Sequence, residues 1–264
     1  TARLVEGEFN GSHFCFFFVD TKKRTQELLL MDKEGTETGS YLLDEKKEYL
    51  TASTSDDSPA TQSLIAVENK GFAVVKYDRN QGYKSSIIHI NNTGEKLWET
   101  PQASPEDKSI DGQSCLFSNN KFILSTVTTR PKMMSMKGAN TFLKIYSLED
   151  GQEMAEIKLN AGKHYLSPFG ANYDEKKDEI LIYGEYYGRN GKGTIDLKNK
   201  LGFFINRYST TGELQGEGYA SWEDDIKPVI PFDPKDKKAA RRSLIVHHVI
   251  NTEDGKYYAI AAQY

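Results

Sequence analysis

Short apolar runs bounded by polar turns recur along the whole chain. His13–Phe18, Phe72–Tyr77, Phe122–Ser125, Ile180–Tyr183 and Tyr257–Ile260 are rich in aromatic and β-branched residues. Each follows a turn: Asn10-Gly11, Lys70-Gly71, Asn119-Asn120, Lys176-Lys177-Asp178 or Asp254-Gly255. Runs of this length and composition predict strands buried on both faces. A shorter strand precedes the turn, as at Ser63–Val67 and Ser243–Val246. A third strand follows at Glu27–Met31, Ser86–Ile90, Thr141–Tyr146 and Gly202–Tyr208, and runs into a turn closed by Gly35, Gly94, Gly151 or Gly212. A fourth strand then covers Thr38–Leu43, Glu95–Glu99, Glu153–Leu159 and Glu213–Tyr219.

Four antiparallel strands repeated about every 60 residues predict an all-β fold, a β-propeller or propeller-like array of four-stranded blades. The units fall at about residues 1–50, 51–101, 110–160 and 165–220, with a partial fifth at 240–264, in a single domain spanning 1–264. The fifth unit has its first two strands and lacks the others. That imbalance predicts either that the chain is part of a larger protein or that the ring closes unconventionally. Propeller repeats are usually shorter, and the surplus is assigned to loops at Leu43–Gln62, Pro101–Gln113, Thr129–Asn140, Tyr187–Lys200 and Trp222–Arg242. Pro131–Lys137 carries three methionines among lysines, read as packing against a neighbouring blade or as an adaptable contact surface. Trp222–Lys238 can hold one short helix, with Ser221 as N-cap and Glu223, Asp224 and Asp225 in the first turn. Pro228, Pro231 and Pro234 stop it early.

Composition narrows the class. With 38% hydrophobic and 27% charged residues the chain is a globular protein with a sizeable core. A net charge of −4 argues against nucleic acid as a partner. No apolar run approaches the roughly 20 residues of a membrane helix, so an integral membrane protein is not expected. Cys15 and Cys115 sit among strand residues and read as buried unpaired thiols, with one disulfide as the alternative.

Chemistry is sparse. No HExxH, CxxC or Gly-x-Ser-x-Gly occurs, and no metal, cofactor or catalytic residue is assigned. His247 and His248 are adjacent on a strand and point to opposite faces, so they cannot both bind one metal. Glu223-Asp224-Asp225 reads as a solvated helix start, and Gly188–Gly193 as a loop without phosphate-binding spacing. The sequon matches at Asn10 and Asn91 fall on turns that want Asn for its backbone conformation. One cluster stands above this background. Glu185, Tyr186 and Tyr187 close a buried strand, Trp222 opens the longest insertion, and His247 lies on the last unit. Aromatic residues there can line a binding mouth, or they can cover the blade edge and anchor the loop.

Tyr183-Gly184-Glu185-Tyr186-Tyr187, Leu201–Phe204, Gly212, Tyr219–Trp222 and Asp225-Ile226-Lys227 resemble a group of secreted Bacteroidota proteins of unknown function. His247–Ile250, Asp254–Tyr258 and Ala261–Tyr264 continue the likeness, which is strongest over the C-terminal third. The group's last strand ends Glu-Gln-Tyr, and this chain has Ala262 at the Glu position. The resemblance implies an exported protein of the periplasm or cell surface that continues beyond Tyr264, and it implies no activity.

The expectation is a non-enzymatic module that binds a protein or glycan through loops on one face. The alternatives are a hydrolase of glycan or peptide, with acidic residues near a central channel, and a structural repeat segment of a larger assembly.

Overall fold

The computed structural model describes residues 2–20, 22–23, 25–44, 64–78, 84–101, 109–130, 137–159, 164–190, 194–228, 244–251 and 257–263. Blade 1 comprises β1 (Ala2–Phe9), β2 (His13–Asp20), β3 (Thr25–Asp32) and β4 (Glu37–Asp44). Blade 2 comprises β5 (Leu64–Val67), β6 (Gly71–Asp78), β7 (Lys84–Ile90) and β8 (Lys96–Glu99). Blade 3 comprises β9 (Ser109–Ser118), β10 (Phe122–Arg130), β11 (Asn140–Ser147) and β12 (Glu153–Leu159). Blade 4 comprises β13 (His164–Asp174), β14 (Glu179–Arg189), β15 (Ile195–Ser209) and β16 (Leu214–Ser221), and β17 (Leu244–Asn251) pairs with β18 (Tyr257–Gln263). In every sheet the strands pair antiparallel in sequence order. The protein is therefore all-β, and among the described residues it has four four-stranded, propeller-like blades and one two-stranded sheet.

Side chains set the turns. Asp32 Oδ1 accepts from the Glu34 and Thr36 amides, Asn91 Oδ1 from Thr93 and Glu95, and Ser209 Oγ from Glu213. These caps hold the chain while Gly35, Gly94 and Gly212 take the positive φ that closes the turn. Gly151 has a second reason to be Gly: a Cβ there would stand 2.6 Å from the Trp98 ring. The turns after first strands follow the same logic, with Asn10, Asn119 and Asp174 accepting from amides two and three residues on. Because the strands reverse at each step, these tight turns share one edge of each blade. The longer connections fall at the opposite edge.

Contacts divide the chain into two compact units, residues 1–160 with 210–212, and residues 161–209 with 213–264. In the first unit, one face of blade 1 packs Cys15, Phe17, Leu28 and Leu30 against Leu64, Phe72, Val74 and Ile88 of blade 2. The other face of blade 2 packs Ala73, Val75, Ile87 and Trp98 against Cys115, Ile123 and Tyr146 of blade 3. Two polar ties index these layers. Buried Asn10 donates from Nδ2 to the Gly71 carbonyl (3.2 Å) and to Asn92 Oδ1 (2.8 Å), and Trp98 Nε1 donates to the Leu148 carbonyl (2.9 Å). Both cysteines are buried free thiols.

Three expectations are corrected and a fourth is sharpened. β6 and β10 are buried on both faces, but β2 alternates, with Cys15, Phe17 and Val19 in the core shared with blade 2 and Phe14 exposed. Residues 187–200 are not one loop: β14 runs to Arg189 and β15 starts at Ile195, so a hairpin spans the stretch. β9 likewise begins at Ser109, inside the expected 101–113 loop. The short helix is a single π turn, Trp222–Ile226, in which Ser221 does cap, its Oγ accepting from the Asp224 amide. The methionine-rich stretch 131–136, the loop 45–63 and residues 229–243 lie outside the described residues. Among the described residues no helix is long and apolar enough to cross a membrane.

Candidate functional site

The candidate residues gather in the second unit, at the edge of blade 4 that carries its longer connections. Tyr187 pairs with Tyr165 of β13 on one side and with Lys200 of β15 on the other. The β14–β15 register slips on both sides of Tyr187, because β15 carries extra residues there. Such bulges re-aim side chains, and here Lys200 reaches the face that bears Glu185. Its Nζ lies 2.8 Å from Glu185 Oε1. The Tyr187 hydroxyl donates to Glu185 Oε2, so both carboxylate oxygens are engaged. The ammonium also stands 5.1 Å from the Phe203 ring centroid and 5.9 Å from that of buried Trp222. Arg189 stacks its guanidinium 5.8 Å from the Tyr165 ring, extending the aromatic surface.

Electrostatics reinforce this arrangement. Burial, then the Glu185 charge, drives the Tyr187 hydroxyl well above the usual tyrosine range. It therefore stays a donor at every physiological pH. The Lys200–Glu185 pair is mostly shielded, with side chains 12% and 25% exposed.

Strand alternation sends Tyr186 to the other face. There it meets His164 (5.2 Å, edge-on) and Tyr219 (5.4 Å, edge-on). Gly202 makes this possible, because a Cβ there would stand 2.0 Å from the Ala220 carbonyl oxygen and 2.8 Å from the Tyr186 ring. Burial, then Glu217, raises the Tyr219 hydroxyl to about 12.

The structure thus brings Glu185, Tyr187 and Trp222 together around Lys200 and separates Tyr186 from them. His247 lies on β17 where the β17–β18 register slips between Val246 and His248, so the regular alternation assumed for this pair is interrupted; its side chain lies outside the described set. Sequence reasoning missed Lys200, Tyr165 and Arg189. The first sits in a polar stretch that only the bulged register identifies as strand. Among the described residues no three His, Cys, Asp or Glu side chains come together as a metal site.

A separate concavity of about 560 Å³ lies in the first unit, lined by Lys70, His89, Leu97, Asn120, Ser147 and Glu149 among others. His89 is 2% exposed, and its ring packs 5.1 Å from that of Trp98, tilted by 56°. Neither ring nitrogen has a hydrogen-bond partner of good geometry. The Lys70 carbonyl lies near enough to favour the protonated ring slightly, but burial dominates and lowers the imidazole to about 4.

A family described as being of unknown function, DUF6770, matches residues 1–264, which takes in blades 1–3 as well as the C-terminal third. No curated protein matches the chain. Among solved structures, an α-L-arabinanase of Penicillium chrysogenum complexed with arabinobiose is similar at 8% identity and a TM-score of 0.44, covering 81% of this chain and 65% of that one. The GH93 α-L-arabinofuranosidase of Fusarium graminearum gives 7% identity, a TM-score of 0.43, and coverage of 83% and 65%. A eukaryotic initiation factor gives 9%, 0.36, and coverage of 82% and 55%. The chain spans 55–65% of the length of these structures. At such identities and TM-scores the likeness transfers neither activity nor substrate.

Proposed function

The chain belongs to this family of unknown function, and within it we propose that the protein is an exported, non-enzymatic binding module that takes a glycan at the aromatic edge of blade 4. The observation that supports this is the state of Glu185. A general acid or base needs a carboxylate free to exchange a proton with substrate. Glu185 is the acid at the centre of the cluster, and Lys200 and Tyr187 occupy both its oxygens. Both oxygens hold a neighbour in place, Oε1 the Lys200 ammonium and Oε2 the Tyr187 hydroxyl, which suits a carboxylate that orients a binding surface.

What surrounds it suits recognition. Tyr187 and Phe203 are half-buried and offer ring surface to the CH faces of a sugar, and the Arg189 guanidinium over the buried Tyr165 ring offers a polar contact at the rim. Export rests on the sequence resemblance, and fractionation of cells producing the native precursor tests it. Recovery of the protein in the cytosol contradicts it. Binding is tested on a glycan array with the wild type and Tyr187→Ala. The expected result is binding to a related set of glycans, weakened roughly two- to tenfold in the variant, as for loss of one aromatic contact of about 0.5–1.5 kcal/mol. Binding to peptides alone, or binding indifferent to the substitution, contradicts the reading.

A further inference from the structure

Blade 1 presents a second surface, unrelated to the blade 4 edge. Its inner face is core; its outer face carries Phe9, Phe14, Phe16, Phe18, Leu29 and Leu42 by strand alternation and register. Phe9, Phe14 and Leu42 are 47%, 37% and 40% exposed. The phenylalanines form a continuous row, with Phe9 and Phe14 centroids 4.6 Å apart and Phe14 and Phe16 stacked at 6.1 Å. Phe16 lies over Gly7, where a Cβ would stand 3.2 Å from its ring. The missing side chain lets the ring lie flat, and the row becomes a platform.

Four strands about 4.8 Å apart, each of eight residues rising about 3.3 Å, span roughly 500 Å². That area, polar positions included, is of the size of the largest surface patch on an ordinary monomer, which is often functional, and matches one side of a small, transient interface. The charged strand residues on this face are Asp20, Glu27 and Glu37, and all three are acidic. A second copy seated face to face would set these acids against one another, and an anionic lipid or nucleic-acid surface would be repelled in the same way.

We propose that the outer face of blade 1 docks a protein segment whose apolar face is flanked by lysine or arginine. Phe9, Phe14 and Phe16 supply the apolar platform, and Glu27 and Glu37 select the basic rim.

The test uses the full chain and two fluorescein-labelled synthetic peptides, one of alternating leucine and lysine and one of alternating leucine and glutamate, followed by anisotropy. Saturable binding is expected for the Leu/Lys peptide and none for the Leu/Glu peptide, with affinity falling as salt rises to about 0.5 M. Phe14→Ser weakens binding about tenfold, as for loss of an apolar anchor. Its melting temperature stays near wild type because the side chain is exposed. The pair Glu27→Lys and Glu37→Lys removes the preference for the basic peptide, whereas Glu213→Lys, a like change of charge on blade 4, leaves it. Equal binding of both peptides, no binding of either, or binding indifferent to Phe14→Ser overturns the proposal. So does sedimentation showing a dimer that Phe14→Ser dissociates, which would assign the face to a second copy.

Discussion

His89 makes the stability of the first unit depend on pH in a defined window. It sits on β7, cross-strand from Ala73 and Trp98, with its ring packed on the indole and 2% exposed. Burial, aided by the Lys70 ammonium, lowers its pKa from 6.5 to about 4. The unfolded chain takes up a proton below about 6.5, and the folded chain does so only near 4. Unfolding is therefore coupled to proton uptake between those values, so the stabilising effect is intact above pH 6.5 and is lost as pH falls through 4. A shift of this size corresponds to about 3 kcal/mol. Urea unfolding of the wild type, followed by far-ultraviolet circular dichroism from pH 8 to pH 4, should show a loss of this order below pH 6.5. His89→Phe keeps an aromatic ring against Trp98 and removes the titration, so its stability should change far less across the same window. The imidazole Cε1 proton should titrate near pH 4 by NMR. A midpoint near 6.5, or the same pH dependence in His89→Phe, refutes the reasoning.

Three further outcomes are expected. Lys200→Met strips the mostly shielded Glu185 of its cation and should cost about 2–3 kcal/mol, with Glu185→Gln restoring part of the loss in the double variant; urea titration of the four proteins measures both. Asn10→Ala removes the amide that joins the first turn of blade 1 to Gly71 and Asn92, leaving buried groups unpaired at a cost of about 2 kcal/mol, read as a lower melting temperature. Cys15 is pushed up to about 12 and Cys115 is also raised, both chiefly by burial. Ellman's reagent should leave both thiols unmodified in the native protein and label both after denaturation; rapid labelling of folded protein would count against the packing described.

The blade pattern was legible because its determinants are local. An aromatic run, an Asx or Ser turn and a glycine recur at fixed offsets, and each needs only its neighbours to act. Strand ends beside the tight turns accordingly came out within a few residues, with Glu153–Leu159 recovered as read, whereas the far ends of β10, β14 and β15 run five to seven residues beyond the reading. What failed depended on distant partners. β2 has the composition of a doubly buried strand, but only its Cys15, Phe17 and Val19 face packs in the core with blade 2, and Phe14 on the other face is exposed. The stretch 187–200 looked like a loop because its polar residues belong to a bulged strand whose register β14 sets. For the same reason Lys200 could not be assigned to Glu185, which lies 15 residues earlier. Tyr186 was grouped with Tyr187 as sequence neighbours, although adjacent strand residues face opposite ways.

The central claim is that the blade 4 edge recognises its ligand without cleaving it. The most direct measurement is mass spectrometry of the strongest glycan ligand after prolonged incubation with the wild type and with Glu185→Gln. The account predicts intact glycan in both samples, with binding retained by the wild type throughout. Cleavage products that appear with the wild type and vanish with Glu185→Gln would contradict it, because Glu185 would then be a working acid or base.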